Sequence, residues 1–397
     1  MSRILVTGMG AISSIGQDVE ENYSSLCEEQ HGLHGKAIPY SSLKHLPTGE
    51  VPFSNEQLAE KAGVDIDAQT WSRTDLLGII AAQEAVQSAG LVDSDLSKAA
   101  LISATTVGGM DVYEQYHEAL RKKLDPPTNL IAYDCADSTE KIADQFGIME
   151  FVTSISTACS SSANAIMLGA RLIKAGKVDR ALVGGTEALA RFTINGFNSL
   201  KILDDQLCQP FDKDRRGLNL GEGAAFLIIE SEEAASKRGA TPLAELLGYS
   251  NRNDAYHQTA SSPDGSGAFS AMKETLEMAG IQPDAVDFIN AHGTGTGNND
   301  LSESIAIKRL FGKNTPPFSS TKSFTGHTLA TAGSIQAVFS ILTLNRGKAF
   351  ANLRFESAIE ETDLTPLLET TDVNYKVILS NSFGFGGNSS SLLFGKA

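Results

Sequence analysis

Cys159 is flanked by two different kinds of sequence. Phe151-Val152-Thr153-Ser154-Ile155-Ser156 alternates as a strand does, and residues 160–175 are built largely of Ser, Ala, Leu and Ile, as a helix would be. A thiol at a strand-to-helix junction meets unpaired N–H groups and the positive end of the helix dipole, which favour the thiolate and predict a nucleophile. A small buried core residue is the equal alternative for a cysteine read alone. Two histidines have comparable settings. Asn290-Ala291-His292-Gly293-Thr294-Gly295-Thr296 puts His292 in a glycine-rich turn after an apolar run, and Ser320-Thr321-Lys322-Ser323-Phe324-Thr325-Gly326-His327 does the same for His327. Strand ends of α/β folds are where ligands bind, and glycine lets a backbone approach them closely. Either histidine, read singly, is equally a satisfied structural residue. Asn381-Ser382-Phe383-Gly384-Phe385-Gly386-Gly387-Asn388 predicts an unusual loop beside an apolar pocket, or a packed turn.

The elements that must position these residues alternate between helical and strand-like patterns, which predicts an α/β fold with largely buried sheets. Residues 75–90 read as a helix with Asp75 as N-cap and Gly90 as its end. About 190 positions later residues 270–280 repeat the design, closing in Met278-Ala279-Gly280-Ile281 as the first closes in Ser88-Ala89-Gly90-Leu91. Strands are expected at 100–104 and 286–291. Thr157-Ala158-Cys159-Ser160 and Thr331-Ala332-Gly333-Ser334 each open a small-residue helix, so the chain divides into similar halves, 1–245 and 246–397.

Composition narrows the function classes. A formal charge of −16 over 397 residues argues against nucleic-acid binding, which needs a basic footprint. The longest obvious apolar run, 224–229, is far too short to cross a bilayer, and Met1-Ser2-Arg3-Ile4-Leu5-Val6-Thr7-Gly8 reads as a strand rather than a secretory signal, so a cytoplasmic protein is expected. Cys27, Cys135, Cys159 and Cys208 form no CxxC pair, and no disulfide framework or metal site is expected. Arg121-Lys122-Lys123, the densest basic run, is a solvated helix face or a patch for an acidic partner.

The motifs at 157–160, 292–296, 322–327 and 381–387, taken in that order, resemble the elongating β-ketoacyl-acyl-carrier-protein synthases. Val6-Thr7-Gly8-Met9-Gly10 and the stretch from Pro210-Phe211-Asp212 to Gly221-Glu222-Gly223-Ala224 extend the resemblance from about residue 3 to 395. Gly8-Met9-Gly10 is not a dinucleotide fingerprint, because Ser13 stands where its third glycine would be. The resemblance implies a thiolase-like fold: duplicated halves in a five-layer α-β-α-β-α sandwich, usually dimeric. It implies that Cys159 holds the acyl group and that the N–H groups of Cys159 and Phe385 form the oxyanion hole. His292 and His327 would serve malonyl decarboxylation, and Lys322 would support the site electrostatically, with a structural ion pair as the alternative. Thr294 and Thr296 match the phosphopantetheine channel, Phe383 and Val107 match substrate-binding positions, and Asp300 and Glu303 match a pair that braces the His292 loop. Substrates would ride on the phosphopantetheine of an acyl-carrier protein, with no permanently bound cofactor.

Two departures bear on the substrate. Gln336 stands where the family often has glutamate, and residues 129–137 carry two acids and Cys135 where many fatty-acid synthases have an apolar, proline-containing segment. A specialised polyene or polyketide substrate therefore stays open beside fatty acids. The partner is a second copy, or a chain-length-factor-like paralogue of which this chain is the active half. Such pocket-shaping subunits usually lack the nucleophilic cysteine. A thiolase would normally place a second cysteine near the C-terminus, and none follows Cys208. A cysteine hydrolase would release its acyl group to water without using malonyl.

Overall fold

The computed structural model describes residues 3–34, 43–125 and 130–397. Met1, Ser2 and Asn129 lie outside the described residues. Ten strands hydrogen-bond in one array: β1 (Ile4–Ser13), β2 (Ala100–Ala104), β3 (Phe151–Ile155), β4 (Arg180–Glu187), β5 (Gly223–Ser231), β6 (Ala244–Asn253), β7 (Phe288–Asn290), β8 (Phe318–Ser319), β9 (Val377–Gly384) and β10 (Asn388–Gly395). The spatial order is β8-β7-β9-β10-β6-β1-β5-β4-β2-β3. Counted outward from the middle, the first five strands and the last five follow one rule: first, fifth, fourth, second, third. Directions repeat too, with β2 parallel to β3 and β4 as β7 is to β8 and β9, and the remaining pairs antiparallel. Only Leu5–Glu245 and Val6–Ala244 join the two sets, so the array is two five-stranded sheets meeting at a two-residue joint.

Six helices complete the layers. α1 (Arg73–Ser88) and α2 (Cys135–Phe146) cover the outer face of the first sheet, and α4 (Ser266–Ala279) and α5 (Gly297–Phe311) cover the second. Between the sheets lie α3 (Ser161–Lys174) and α6 (Ala332–Arg346), packed on each other and on strands of both. The result is the expected five-layer thiolase-like sandwich. Its sequence cause is visible in α6, where every residue from Ala332 to Leu344 is buried, because a helix between two sheets has no face left for water. β5 likewise reads as a nearly unbroken apolar run because both its faces are covered.

Several expected boundaries shift. Asp75 is not the N-cap of α1: Ser72 is, and Asp75 sits three residues on in a capping box, each side chain accepting the other's backbone N–H. α4 starts at Ser266 rather than 270 and ends, as expected, at a left-handed Gly280. β7 is shorter than 286–291 because Val286 caps the turn Pro283–Ala285. The segment 381–388 is mostly the β9–β10 hairpin, with only residues 385–387 as its turn. The echo of Cys159 and Gly333 is offset in the fold. α3 begins two residues after Cys159, whereas Gly333 lies inside α6, where an added Cβ would stand 2.7 Å from Ala163 N.

Candidate active site

Cys159 follows a turn rather than a simple strand end. Ala158 takes φ +54°, a left-handed conformation uncommon for a residue with a side chain. The turn is held by its own hydroxyls. Thr157 N donates to Ser161 Oγ at 2.8 Å, and Ser160 Oγ lies 2.8 Å from Thr157 O and 2.6 Å from Asn388 Oδ1. The hairpin closes on it so tightly that a Cβ at Gly384 would come within 2.7 Å of Thr157 O. The N–H groups of Phe385 and of Cys159 itself bear on the sulfur.

The expectation of a ready thiolate does not hold. Burial pushes the Cys159 thiol up to about 12, and the opposing pulls of Lys322 and the two amides are smaller. A helix N-terminus favours a thiolate that water also reaches. Cys159 is 5 % exposed, so loss of hydration dominates.

His292 is placed by two acids from α5. Its N–H donates to Glu303 Oε1 at 2.9 Å and that of Gly293 to Oε2 at 2.8 Å, while Thr294 N and Gly295 N donate to Asp300. Three positions apart on one helix, the two carboxylates share a face and grip consecutive peptides of the loop. Asn381 Nδ2 also donates to Glu303, tying β9 to the same point.

His327 meets His292 edge to face, with ring centroids 5.3 Å apart. The N–H of Leu329 donates to His327 Nδ1 at 3.2 Å, which leaves the proton on Nε2. Burial, and then the nearby Lys322 charge, hold both imidazoles well below the usual histidine range, so both are neutral at pH 7.

Lys322 makes no ion pair within 4 Å among the described residues. Its Nζ donates to His292 O at 2.6 Å and to Gln336 Oε1 at 3.0 Å. Burial lowers its ammonium to about 8 against the pull of Glu303, itself raised by burial to about 7. Gln336 explains its own presence. While its oxygen accepts from Lys322, its Nε2 donates to Ala291 O and Asn381 O, both at 3.0 Å, stitching the end of β7 to the interior of β9. A carboxylate could not donate to those carbonyls.

Two cavities meet at Cys159. One, of about 180 Å³, is lined by His292, His327, Thr294, Thr296, Phe383 and Phe385. The other, of about 470 Å³ and mainly apolar, is lined by Val107, Thr106, Phe192, Thr193 and Leu329 among others. Lys322, Asp300 and Glu303 stand behind the first as support.

Elsewhere, the acids at 134 and 137 serve α2: Asp134 caps it through Ala136 N, and Asp137 pairs with buried Lys141 at 2.7 Å. Arg121 and Lys122 pair with Glu118 beside a separate surface hollow. The sequence reading missed Glu187 and Leu329, which contact the cavity walls. A lone acid closing a strand whose middle, Ala181 to Gly185, is apolar was the available signal for Glu187.

Comparison with known proteins gives a consistent result. Residues 1–235 match the description "Beta-ketoacyl synthase, N-terminal domain" and residues 243–356 "Beta-ketoacyl synthase, C-terminal domain". The chain is 34% identical over 414 residues to 3-oxoacyl-[acyl-carrier-protein] synthase 2 of Staphylococcus aureus (strain N315), covering 99% of this chain and 98% of that one. Identity to the Synechocystis protein of the same name is also 34%, over 412 residues and the same shares. Among solved structures, the ishigamide ketosynthase/chain length factor superposes with a TM-score of 0.91 at 28% identity, covering 100% of this chain and 99% of that one. A ketosynthase in complex with its chain length factor from Xenorhabdus doucetiae gives 0.87 at 31%, covering 100% and 98%. The chain belongs to the β-ketoacyl synthase family.

Proposed function

We propose that this protein is a 3-oxoacyl-acyl-carrier-protein synthase, condensing an acyl thioester with malonyl-acyl-carrier protein and releasing CO2. One observation carries the reading: a single thiol stands where an apolar cavity meets a cavity walled by two neutral imidazoles. Cys159 Sγ attacks the acyl thioester, the bond from acyl carbon to carrier sulfur breaks, and the thiol proton leaves with the carrier. The N–H groups of Cys159 and Phe385 hold the oxyanion, and the chain lies in the apolar cavity, bounded by Val107.

Malonyl carrier then enters along Thr294 and Thr296 with Phe383 beside it. Loss of CO2 leaves an enolate, whose oxygen accepts hydrogen bonds from His292 and His327. Neutral imidazoles suit that task, since they donate without surrendering a proton. The enolate carbon attacks the acyl carbon, a carbon–carbon bond forms, and Cys159 departs as thiolate and regains a proton. Lys322 favours that thiolate and fixes the His292 carbonyl. Asp300 and Glu303 brace the loop.

The substrates ride on carrier phosphopantetheine, so the cycle needs no resident cofactor, and it belongs in the cytoplasm. No helix among the described residues is long and apolar enough to cross a membrane. Lys201, exposed at the rim of the histidine-walled cavity, offers positive charge to an acidic carrier, beside Arg216, which pairs with Asp205 at 2.7 Å. We read the chain as halves 1–245 and 246–397, which the repeated strand order supports. Among the described residues no strand pairs with the outer edge of β3, the end of the array, which supports pairing with a second copy. The second reading is the active half of a ketosynthase/chain-length-factor heterodimer, favoured by the likeness to the ishigamide pair.

Intact-mass analysis after incubation with a panel of acyl-carrier thioesters, followed by malonyl carrier, tests the reaction. Acyl adducts on the wild type, absent from Cys159→Ala, with 3-oxoacyl product only after malonyl addition, are expected. Acyl release to water without malonyl consumption, or condensation by Cys159→Ala, would overturn it.

A further inference from the structure

Glu187 ends strand β4, is wholly buried, and takes no part in the condensation described above. Its carboxylate grips two segments, one from each half of the chain. On one side Thr105 Oγ1 donates to it at 2.8 Å, Thr106 N at 3.0 Å and Val107 N at 3.1 Å, and the Thr106 hydroxyl donates as well. On the other side Ala330 N donates at 3.2 Å. The first segment carries the Val107 wall of the apolar cavity. The second follows His327.

Leu329, between them, has φ +51°, a strained conformation for a bulky side chain that persists only where the surroundings enforce it. Its N–H is the donor that keeps the His327 proton on Nε2, and its side chain lines the apolar cavity. The next peptide N–H is the one that Glu187 holds. Only an acceptor on both oxygens fits here. With glutamine at 187 the NH2 group must face either Val107 N or Ala330 N, and neither backbone donor can reverse its role.

We propose that Glu187 is a positioning residue: it locks the left-handed turn at Leu329, and through it the Nε2–H tautomer of His327, to the wall of the apolar cavity. This rests on His327 donating to the enolate oxygen. Stranding a buried backbone donor is costly, and at the Ala330 end it releases the turn that orients the imidazole.

The test compares wild type, Glu187→Gln and Glu187→Gln/Leu329→Gly. Three quantities are read: Cys159 acylation by intact mass, CO2 release from malonyl carrier without acyl donor, and the His327 tautomer from two-bond proton–nitrogen NMR of histidine-labelled protein. For Glu187→Gln we expect acylation within about two-fold of wild type, CO2 release down about ten-fold, and a mixed His327 tautomer. Leu329→Gly tolerates the left-handed turn without the carboxylate, so the double variant should recover the single tautomer and most of the CO2 release.

An unchanged tautomer in Glu187→Gln, a parallel fall of acylation and CO2 release, or no recovery in the double variant would each overturn the proposal. If Glu187→Gln does not fold, the double variant should, with the Nε2–H tautomer. Its failure to fold overturns the proposal too. A wild type that neither acylates nor decarboxylates instead defeats the proposed function, leaving the tautomer measurement as a separate result.

Discussion

The loops that follow the second strand of each sheet, 105–108 after β2 and 291–296 after β7, are built alike and used differently. Each is gripped by a buried carboxylate that accepts from consecutive backbone N–H groups. Glu187 takes those of Thr106 and Val107, and Glu303 those of His292 and Gly293. The acids have different origins: Glu187 ends the neighbouring strand β4, whereas Glu303 comes from helix α5. Side chains decide the outcome, an apolar Val107 for the apolar cavity and an imidazole for the histidine-walled one. Duplication supplies two rigid loops at matching sheet positions, and chemistry depends on what each presents.

The largest effect is expected from Cys159→Ala. It leaves both gripped loops intact and should lower condensation by about a thousand-fold or more in a coupled carrier assay. Next, His327→Ala removes one of the two proposed enolate donors and should lower CO2 release from malonyl carrier by about a hundred-fold while Cys159 still acylates.

Glu303→Ala strands three donors, those of His292, Gly293 and Asn381. It should destabilise the fold by about 3 kcal/mol, seen as a lower thermal midpoint. If the C-terminal loop stands without its acid, the shared device is not structural.

The pH profile separates charge from scaffold. Lys322, lowered to about 8, loses its proton as pH rises through that value, so condensation should fall there, and Lys322→Met should lack that limb. Stability moves the other way. From about 8 to the ordinary lysine value the unfolded chain binds the extra proton, so this group's contribution to unfolding free energy rises with pH. Smallest is Val107→Phe, which should shift acyl preference toward shorter chains by about ten-fold, read as relative Cys159 acylation rates.

Much of this was legible beforehand. Strand β2 has the expected bounds, because a short apolar run between turn residues admits few other readings, and β3, read from its alternation, falls one residue short of its expected end. Asp300 and Glu303 follow His292 by eight and eleven positions on a helix, which brings both carboxylates back onto its loop. Asp75 was misjudged because Ser72 offers the same capping chemistry three residues earlier, and local pattern alone does not rank the two.

By itself the sequence determined the element types and pointed to a duplicated plan, through local periodicity and repeated patterns; which cysteine, histidines and lysine share a site came from the resemblance of its motifs to the family, since each residue read singly admits a structural role as well. Tertiary structure alone decided the charge states and the hidden supports. How far Cys159 is cut off from water, that Lys322 rests on a carbonyl 30 positions away and an amide 14 away rather than on an acid, and that Glu187 meets Ala330 across 143 positions all depend on separate segments being packed together. Solvation and long-range hydrogen bonding belong to the packed interior and leave no periodic trace in the chain.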